Sequence, residues 1–287
     1  MLNDFRKSFP FAVGTTSYIY PYEEDNLVEN VRSLKNKTDI IQLLFFGKDY
    51  IDDMCQKAII KQLDSMQKES DIRYILHLPI DFYLMDLSKK DLEDAVNIIQ
   101  FIIDSTKSLE IDCYILHIDF SNKITEPDTL KNYSTTFKYI TRFIKKKFKT
   151  LWKKIVLENT NYDLTKFSHY IKQEKFRLCM DLGHLAIQGL SLKEFIDIFH
   201  NDIEICHLHG YTGSKDHQAL SITEKEALKE MVCAVYRLGK PVILEVFNET
   251  DLILSYQSLK NYNSVPLQIS SYPFLKPVPV RTLPEKI

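Results

Sequence analysis

The sequence predicts an α/β chain folded as a single closed barrel of parallel strands, with an extended, proline-rich C-terminal tail. Three observations carry that prediction. Six short apolar runs each end in a histidine, aspartate or glutamate: YILHLP (His77), YILHID (His117), IVLENT (Glu158), LCMDLGH (Asp181, His184), ICHLHG (His207, His209) and VILEVFN (Glu245). Runs of this length read as buried strands, and an ionisable group at the end of one needs a compensating partner. Helix-length segments separate the runs, so strand and helix alternate. Beyond residue 264 stand five of the ten prolines (Pro266, Pro273, Pro277, Pro279 and Pro284), which bars a helix or a central strand there.

Taken in order, strands are expected near 11–17, 39–46, 73–78, 113–119, 154–159, 176–182, 203–209 and 241–247. Helices are expected near 25–34, 50–68, 88–108, 128–147, 164–173, 191–200, 222–238 and 249–261. Eight β/α units of this length favour the (β/α)₈, or TIM, barrel over an open doubly wound sheet. The barrel occupies residues 1–263 and the tail 264–287. In such a barrel the loops after the strands share one face, where active sites lie. All the polar strand ends fall on that side.

Composition narrows the function. A net charge of −2 over 287 residues gives no global electrostatic case for nucleic acid or an anionic membrane. No apolar run reaches membrane-spanning length, and the start, MLNDFRKSFPFAVG, lacks the apolar region of a secretory signal. Five cysteines (Cys55, Cys113, Cys179, Cys206, Cys233) lack short pairing spacings, and three lie in expected strands. Buried, reduced thiols in a cytoplasmic protein are the expectation. The basic run IKKKFK at 144–149 reads as the cationic last turn of an exposed helix.

The chemistry concentrates at the strand ends. Glu158, Asp181, His207 and Glu245 close strands five to eight, and four such ligands can converge on one divalent ion, zinc or manganese by type. His77 and His117 end strands three and four in matched contexts. His184 follows Asp181 by three residues, with Gly183 expected to let that turn bend tightly. His217, with Asp216 beside it, lies in GYTGSKDHQAL, a glycine-containing loop expected to fold over the pocket. His209, one step beyond His207, is expected in a substrate or supporting role, as are Asp119 and Asn159. His169 and His200 fall in expected helices and receive no role.

The order HLP, LHID, LENT, CMDLGH, CHLHG and LEVF resembles the xylose-isomerase-like TIM-barrel superfamily, which joins sugar isomerases and epimerases to zinc-dependent abasic-site endonucleases. The resemblance spans roughly residues 11–262. It implies one metal for an isomerase, held by Glu158, Asp181, His207 and Glu245. It implies three zincs and nine ligands for an endonuclease, eight of which have candidates: His77, His117, Glu158, Asp181, His184, His207, His217 and Glu245. The ninth, an aspartate two residues before the loop histidine, falls on Lys215, with Asp216 adjacent. GTTSYIYP, HLPIDF, DLGHL, HLHG, KDHQAL and LEVF together look like the cobamide-remodelling phosphodiesterases, which cleave the nucleotide-loop phosphodiester of corrinoids.

Physical reasoning favours a phosphodiester independently. Isomerisation needs one Lewis acid and a base, whereas diester hydrolysis builds charge on attacking and leaving oxygens that two or three clustered ions stabilise together. The surplus of histidine therefore points to a hydrolase with one to three divalent ions, Glu158 and Glu245 being central to catalysis. A one-metal sugar isomerase or epimerase is the alternative, with Glu158 and Glu245 moving protons. The near-zero charge and lack of a basic aromatic stripe argue against DNA, and hence against an abasic-site endonuclease. The expected substrate is a small or corrinoid phosphodiester. An intact ligand at every strand end argues against a metal-free binding module.

Overall fold

The computed structural model describes residues 4–20, 27–45, 47–122 and 133–263. The expected tail at 264–287 lies outside them. Eight parallel strands close into a barrel: β1 (Val13–Thr16), β2 (Ile40–Leu44), β3 (Arg73–His77), β4 (Ile111–Leu116), β5 (Ile155–Glu158), β6 (Arg177–Asp181), β7 (Ile203–Leu208) and β10 (Val242–Leu244). Their order around the barrel is β1-β10-β7-β6-β5-β4-β3-β2, with β2 paired back to β1. All eight expected strands are present, each within a few residues of the expected bounds. The structure adds a ribbon that the sequence reading took for loop: β8 (Gly210–Thr212) pairs antiparallel with β9 (Lys215–Gln218).

Main-chain alternation fixes what the barrel holds. Successive residues of a strand face opposite sides of the sheet. Ile40, Ile75, Cys113, Ile115, Val156, Cys179, Ile205 and Ile243 form a separate apolar cluster. Ile75, Ile115, Val156, Cys179, Ile205 and Ile243 stand two residues before His77, His117, Glu158, Asp181, His207 and Glu245, so each pair shares the inner face. The barrel is thus plugged by hydrocarbon and thiol, with an imidazole and carboxylate layer directly above. Gly14 on β1 fits this crowding: a Cβ there would lie 2.5 Å from the Ile40 carbonyl oxygen and 2.6 Å from Ile243 Cδ1.

The outer faces of the strands pack beneath a ring of helices in a larger apolar core. α1 (Leu27–Leu34) is followed by a short α2 (Ile51–Met54) and by α3 (Lys57–Ser70), so the expected 50–68 helix is broken at Cys55 and Gln56. α4 (Lys89–Ser105) starts where the Ser88 hydroxyl accepts from the Asp91 N–H. It buries Leu92, Val96, Ile99 and Ile103 at helical spacing. α5 (Ser134–Phe148) and α6 (Ser168–Glu174) flank β5 in sequence. Lys145, Lys146 and Lys147 form the cationic last turn of α5 that the sequence reading expects, and Lys145 also pairs with Glu174.

A single-turn helix, α7 (Leu182–Ile187), follows β6 directly and precedes α8 (Leu192–Phe199). α9 (Lys225–Leu238) ends at Gly239 in the left-handed conformation, and α10 (Glu249–Asn263) completes the ring. No helix among the described residues is long and apolar enough to cross a membrane.

Phe137 on α5 is fully buried and stacks on Phe167 at 4.4 Å between ring centroids. Truncating a buried phenylalanine to alanine costs about 3–5 kcal/mol. Phe137→Ala is expected to lower unfolding free energy by that amount in guanidinium titration, and a loss under about 1 kcal/mol would contradict this packing.

Candidate metal centre

Six of the candidate ligands sit at the upper end of a barrel strand or immediately after it, while His184 stands on α7 and His217 on β9. His77, Glu158 and Asp181 are the last residues of β3, β5 and β6, and His207 is the penultimate residue of β7. His117 and Glu245 follow β4 and β10 immediately. Asp181 lies opposite His207 in the β6–β7 register. The structure therefore brings together all the residues proposed from sequence as metal ligands, in three adjoining clusters.

In the first cluster, His77 Nε2 and His117 Nε2 lie 3.2 and 3.0 Å from Glu158 Oε2. The second contains Glu158, Asp181, His207 and Glu245. There His207 Nδ1 lies 2.8 Å from Glu158 Oε1, 2.9 Å from Glu245 Oε2 and 3.9 Å from Asp181 Oδ2. The third gathers His184, His209 and His217, with Asp216 Oδ2 at 3.7 Å from His184 Nε2 and 3.9 Å from His217 Nε2. Glu158 belongs to the first two clusters, and Asp181 reaches from the second towards the third.

Several of the rings are held by one nitrogen, and the other faces the carboxylates. His77 Nδ1 meets the Leu78 carbonyl at 2.8 Å, and His217 Nδ1 meets the Glu245 carbonyl at 3.1 Å. His117 Nδ1 meets Asp119 Oδ2 at 3.1 Å. His207 uses the opposite edge, with Nε2 at 2.7 Å from Gln42 Oε1. A ring that donates one N–H to a carbonyl or carboxylate presents a lone pair at its other nitrogen, the arrangement of metal-binding histidine.

The supporting residues divide by what they touch. Asp119 accepts from the Thr160 hydroxyl and orients His117. Asn159 is fully buried, and its amide brackets the Asp181 backbone: Nδ2 donates to the Asp181 carbonyl and Oδ1 accepts from its N–H. It therefore positions Asp181. His209 is 0% exposed, which removes it from substrate contact. Asp216 is half exposed on the β8–β9 ribbon.

Sequence reasoning missed Gln42, whose Nε2 donates to Glu245 Oε1 at 2.8 Å while its Oε1 faces His207. The available signal was a lone amide inside the apolar strand IIQLL.

Gly183 has a different role from the one expected. It lies within α7, and a Cβ there would stand 2.2 Å from His209 Cε1. Its value is close approach to a ring. The turn that brings His184 inward is set by Asp181, whose Oδ1 accepts from the His184 N–H at 2.7 Å. His217 has a φ of 49°, uncommon outside glycine. Hydrogen bonds from its N–H to His209 Nδ1 and from its ring to Glu245 hold that backbone in place.

The donor set suits a divalent cation. Asp181 Oδ2, His184 Nδ1 and His209 Nε2 are buried and make no hydrogen bond of good geometry. They face one another only as ion pairs, His184 Nδ1 to Asp181 Oδ2 at 3.6 Å and His209 Nε2 to Asp181 Oδ1 at 3.2 Å, which calls for an explanation at a polar site. Their chemistry, imidazole nitrogen and carboxylate oxygen, is that of zinc and manganese ligands. Electrostatics agree. Burial opposes ionisation of Glu158, yet the His207 and His117 rings hold its pKa well below the ordinary carboxylate range. Burial likewise opposes charge on His184, but the Asp181 and Asp216 carboxylates hold its pKa up at about 9.

Residues 32–263 match the xylose isomerase-like TIM barrel family. The chain belongs to that family. Among solved structures it is similar to a D-tagatose 3-epimerase-like protein (18% identity, TM-score 0.65, covering 88% of this chain and 97% of that one). It is similar to a Thermus thermophilus protein soaked with zinc chloride (14%, TM-score 0.66, 88% and 99%). It also resembles endonuclease IV from the same organism (15%, TM-score 0.57, 87% and 99%). No curated protein matches the chain. Solved structures that share this barrel fold thus include an epimerase-like protein and an endonuclease.

Two outcomes are expected at this centre. Gln42→Leu removes the partner of both His207 and Glu245, and losses of this kind weaken metal affinity by about 10–100-fold. Competition with a chromophoric chelator measures it, and unchanged affinity would mean that Gln42 does not orient the ligands.

The second concerns protons. A His184 pKa raised to about 9 stabilises the metal-free fold fully below about 6.5, and that contribution fades as pH rises through about 9. Cation binding at the ring displaces the proton, so apparent affinity should rise with pH across the same window. Calorimetry at pH 7 in buffers of different ionisation heat should register proton release; none would contradict a protonated His184.

Proposed function

We propose that the chain is a metal-dependent phosphodiesterase, acting on the nucleotide-loop phosphodiester of a cobamide. The observation that carries this reading is the His77–His117–Glu158 cluster, which stands beside the four-residue set and shares Glu158 with it. A one-ion isomerase has no use for it. A hydrolase that stabilises charge on both attacking and leaving oxygens does.

In this reading His77, His117 and Glu158 would hold one divalent ion, zinc or manganese. Glu158, Asp181, His207 and Glu245 would hold another. When bound, such ions supply positive charge against phosphate oxygens and acidify water towards neutral pH. The chain's own residues do the rest. Glu158 presents one oxygen to each cluster and so fixes their spacing. Glu245, steered by Gln42, stays ionised: burial opposes its charge, but the His207 ring outweighs that and lowers its pKa. The β8–β9 ribbon brings Asp216 and His217 against His184 from the loop side, restricting water at the third cluster.

The corrinoid assignment rests on the likeness of GTTSYIYP, HLPIDF and KDHQAL to cobamide-remodelling enzymes, and on a net charge of −2 that gives DNA no electrostatic attraction. All five cysteines are free, in keeping with a reducing cytoplasmic setting. The second reading, a one-metal sugar epimerase, draws on the epimerase among the similar structures and would use only the four-residue set.

His77→Ala and His117→Ala separate the two readings. For the phosphodiesterase, each variant should bind one ion fewer per chain and lose on the order of a thousandfold or more in diester hydrolysis, as several kcal/mol of charge stabilisation disappear. Chromatography of a cobamide digest and metal analysis supply the measurements. Unchanged metal content in both variants, together with sugar epimerisation, would replace this assignment with the second reading.

A further inference from the structure

His209 lies between the Asp181 carboxylate and the rings of the third cluster. It is fully buried, and its ring lies 5.2 Å from that of His184 and 4.3 Å from that of His217, centroid to centroid. The His184 and His217 rings are themselves 5.5 Å apart. One ligating atom from each of the three lies within 4.8 Å of the other two. His209 Nε2 and His184 Nδ1 are both buried and make no hydrogen bond of good geometry, and His184 Nδ1 faces Asp181 Oδ2 only at 3.6 Å. Asp181, 3.2 Å away through Oδ1, faces His209 Nε2.

From this geometry we infer that His209 is a ligand of a third divalent ion, held with His184 and His217, in place of the aspartate that Lys215 displaces. The inference deepens the multi-ion reading above and rests on it.

Three features of the chain support it. Lys215 is exposed and Asp216 half exposed, so the ribbon offers this cluster only one carboxylate, at its rim. His209 enters from β7 below, where no loop movement is needed to place it. The ring is also seated by a feature with no other use: Gly183 leaves space that a Cβ would fill at 2.2–2.6 Å from His209 Cε1, Nε2 and Nδ1.

The remaining ring nitrogen decides the tautomer. His209 Nδ1 is within reach of the Gly210 carbonyl at 3.1 Å and of the His217 N–H at 3.0 Å. The two contacts need opposite protonation of Nδ1. Accepting from the His217 N–H puts the ring proton on Nε2, whereas donating to Gly210 gives up the His217 bond and leaves Nε2 a lone pair, the tautomer that a cation at Nε2 selects. A site of three imidazoles with one carboxylate at its edge has the nitrogen-rich character that suits zinc better than magnesium or calcium.

The test uses the full chain, loaded with zinc, desalted and analysed for zinc per chain, with folding checked by circular dichroism and thermal melting. The wild type is expected to hold three ions and His209→Ala two. His200→Ala, whose ring lies outside the centre, should keep three. The double variant His209→Ala/Lys215→Asp, which restores a carboxylate on the ribbon, is expected to regain the third. If His209→Ala fails to fold, His209→Gln keeps a polar side chain at the site and is read the same way.

Cobalt replacement gives a second readout: the visible absorption added by the third equivalent should be missing in the His209 variant. Three ions retained in a folded His209 variant would overturn the proposal and leave the multi-ion reading standing. A wild type that binds a single ion would overturn both.

Discussion

Everything at the upper end of this barrel follows from burying Glu158, Asp181 and Glu245 together. Each is at most 4% exposed, and carboxylates so placed cannot all remain ionised without positive charge beside them. The chain answers with imidazoles on neighbouring strands: His77, His117 and His207 pair with Glu158, and His207 with Glu245. That choice is chemically consequential. An ammonium or guanidinium would neutralise the carboxylates permanently, whereas an imidazole can give up its proton and yield its place to a cation. The depressed Glu158 and raised His184 show carboxylates and imidazoles holding one another in charged form, an arrangement in which a cation could take the place of the ring protons.

The outer layers serve that arrangement. Asp119 and Thr160 fix His117, Asn159 grips the backbone of Asp181, and Gln42 ties His207 to Glu245 across the barrel. Apart from the local Asp119–His117 pair, these contacts join segments 22 to 203 residues apart in sequence. The centre is therefore a property of the closed barrel and of no local segment.

That distinction explains what could be read beforehand. Six of the eight strands were legible because an apolar run ending in a charged or imidazole group is a local pattern, and the parity of YILH, VLE, CMD and VILE already places the last residue on the face of the apolar plug. The helix 50–68 was read as continuous because the break at Cys55 and Gln56 involves neither glycine nor proline. The ribbon at 210–218 was hidden because its strands are three and four residues long and rich in polar groups, a composition that belongs equally to a loop. Gln42 and Gly183 were missed or misread for a different reason. Their value lies wholly in what approaches them, His207 and Glu245 in one case and the ring of His209 in the other, and neither partner is near in sequence.

The apolar plug and the polar ring are separated by one dipeptide on almost every strand. The part of the molecule that secures folding and the part that performs chemistry are therefore adjacent in sequence yet independent in substance. A change at Glu245 leaves Ile243 where it was, and the barrel keeps its hydrocarbon foundation. Such a scaffold lets selection rewrite the ring while the foundation stays constant, one strand end at a time. Different chemistries on one barrel architecture are what that layering permits.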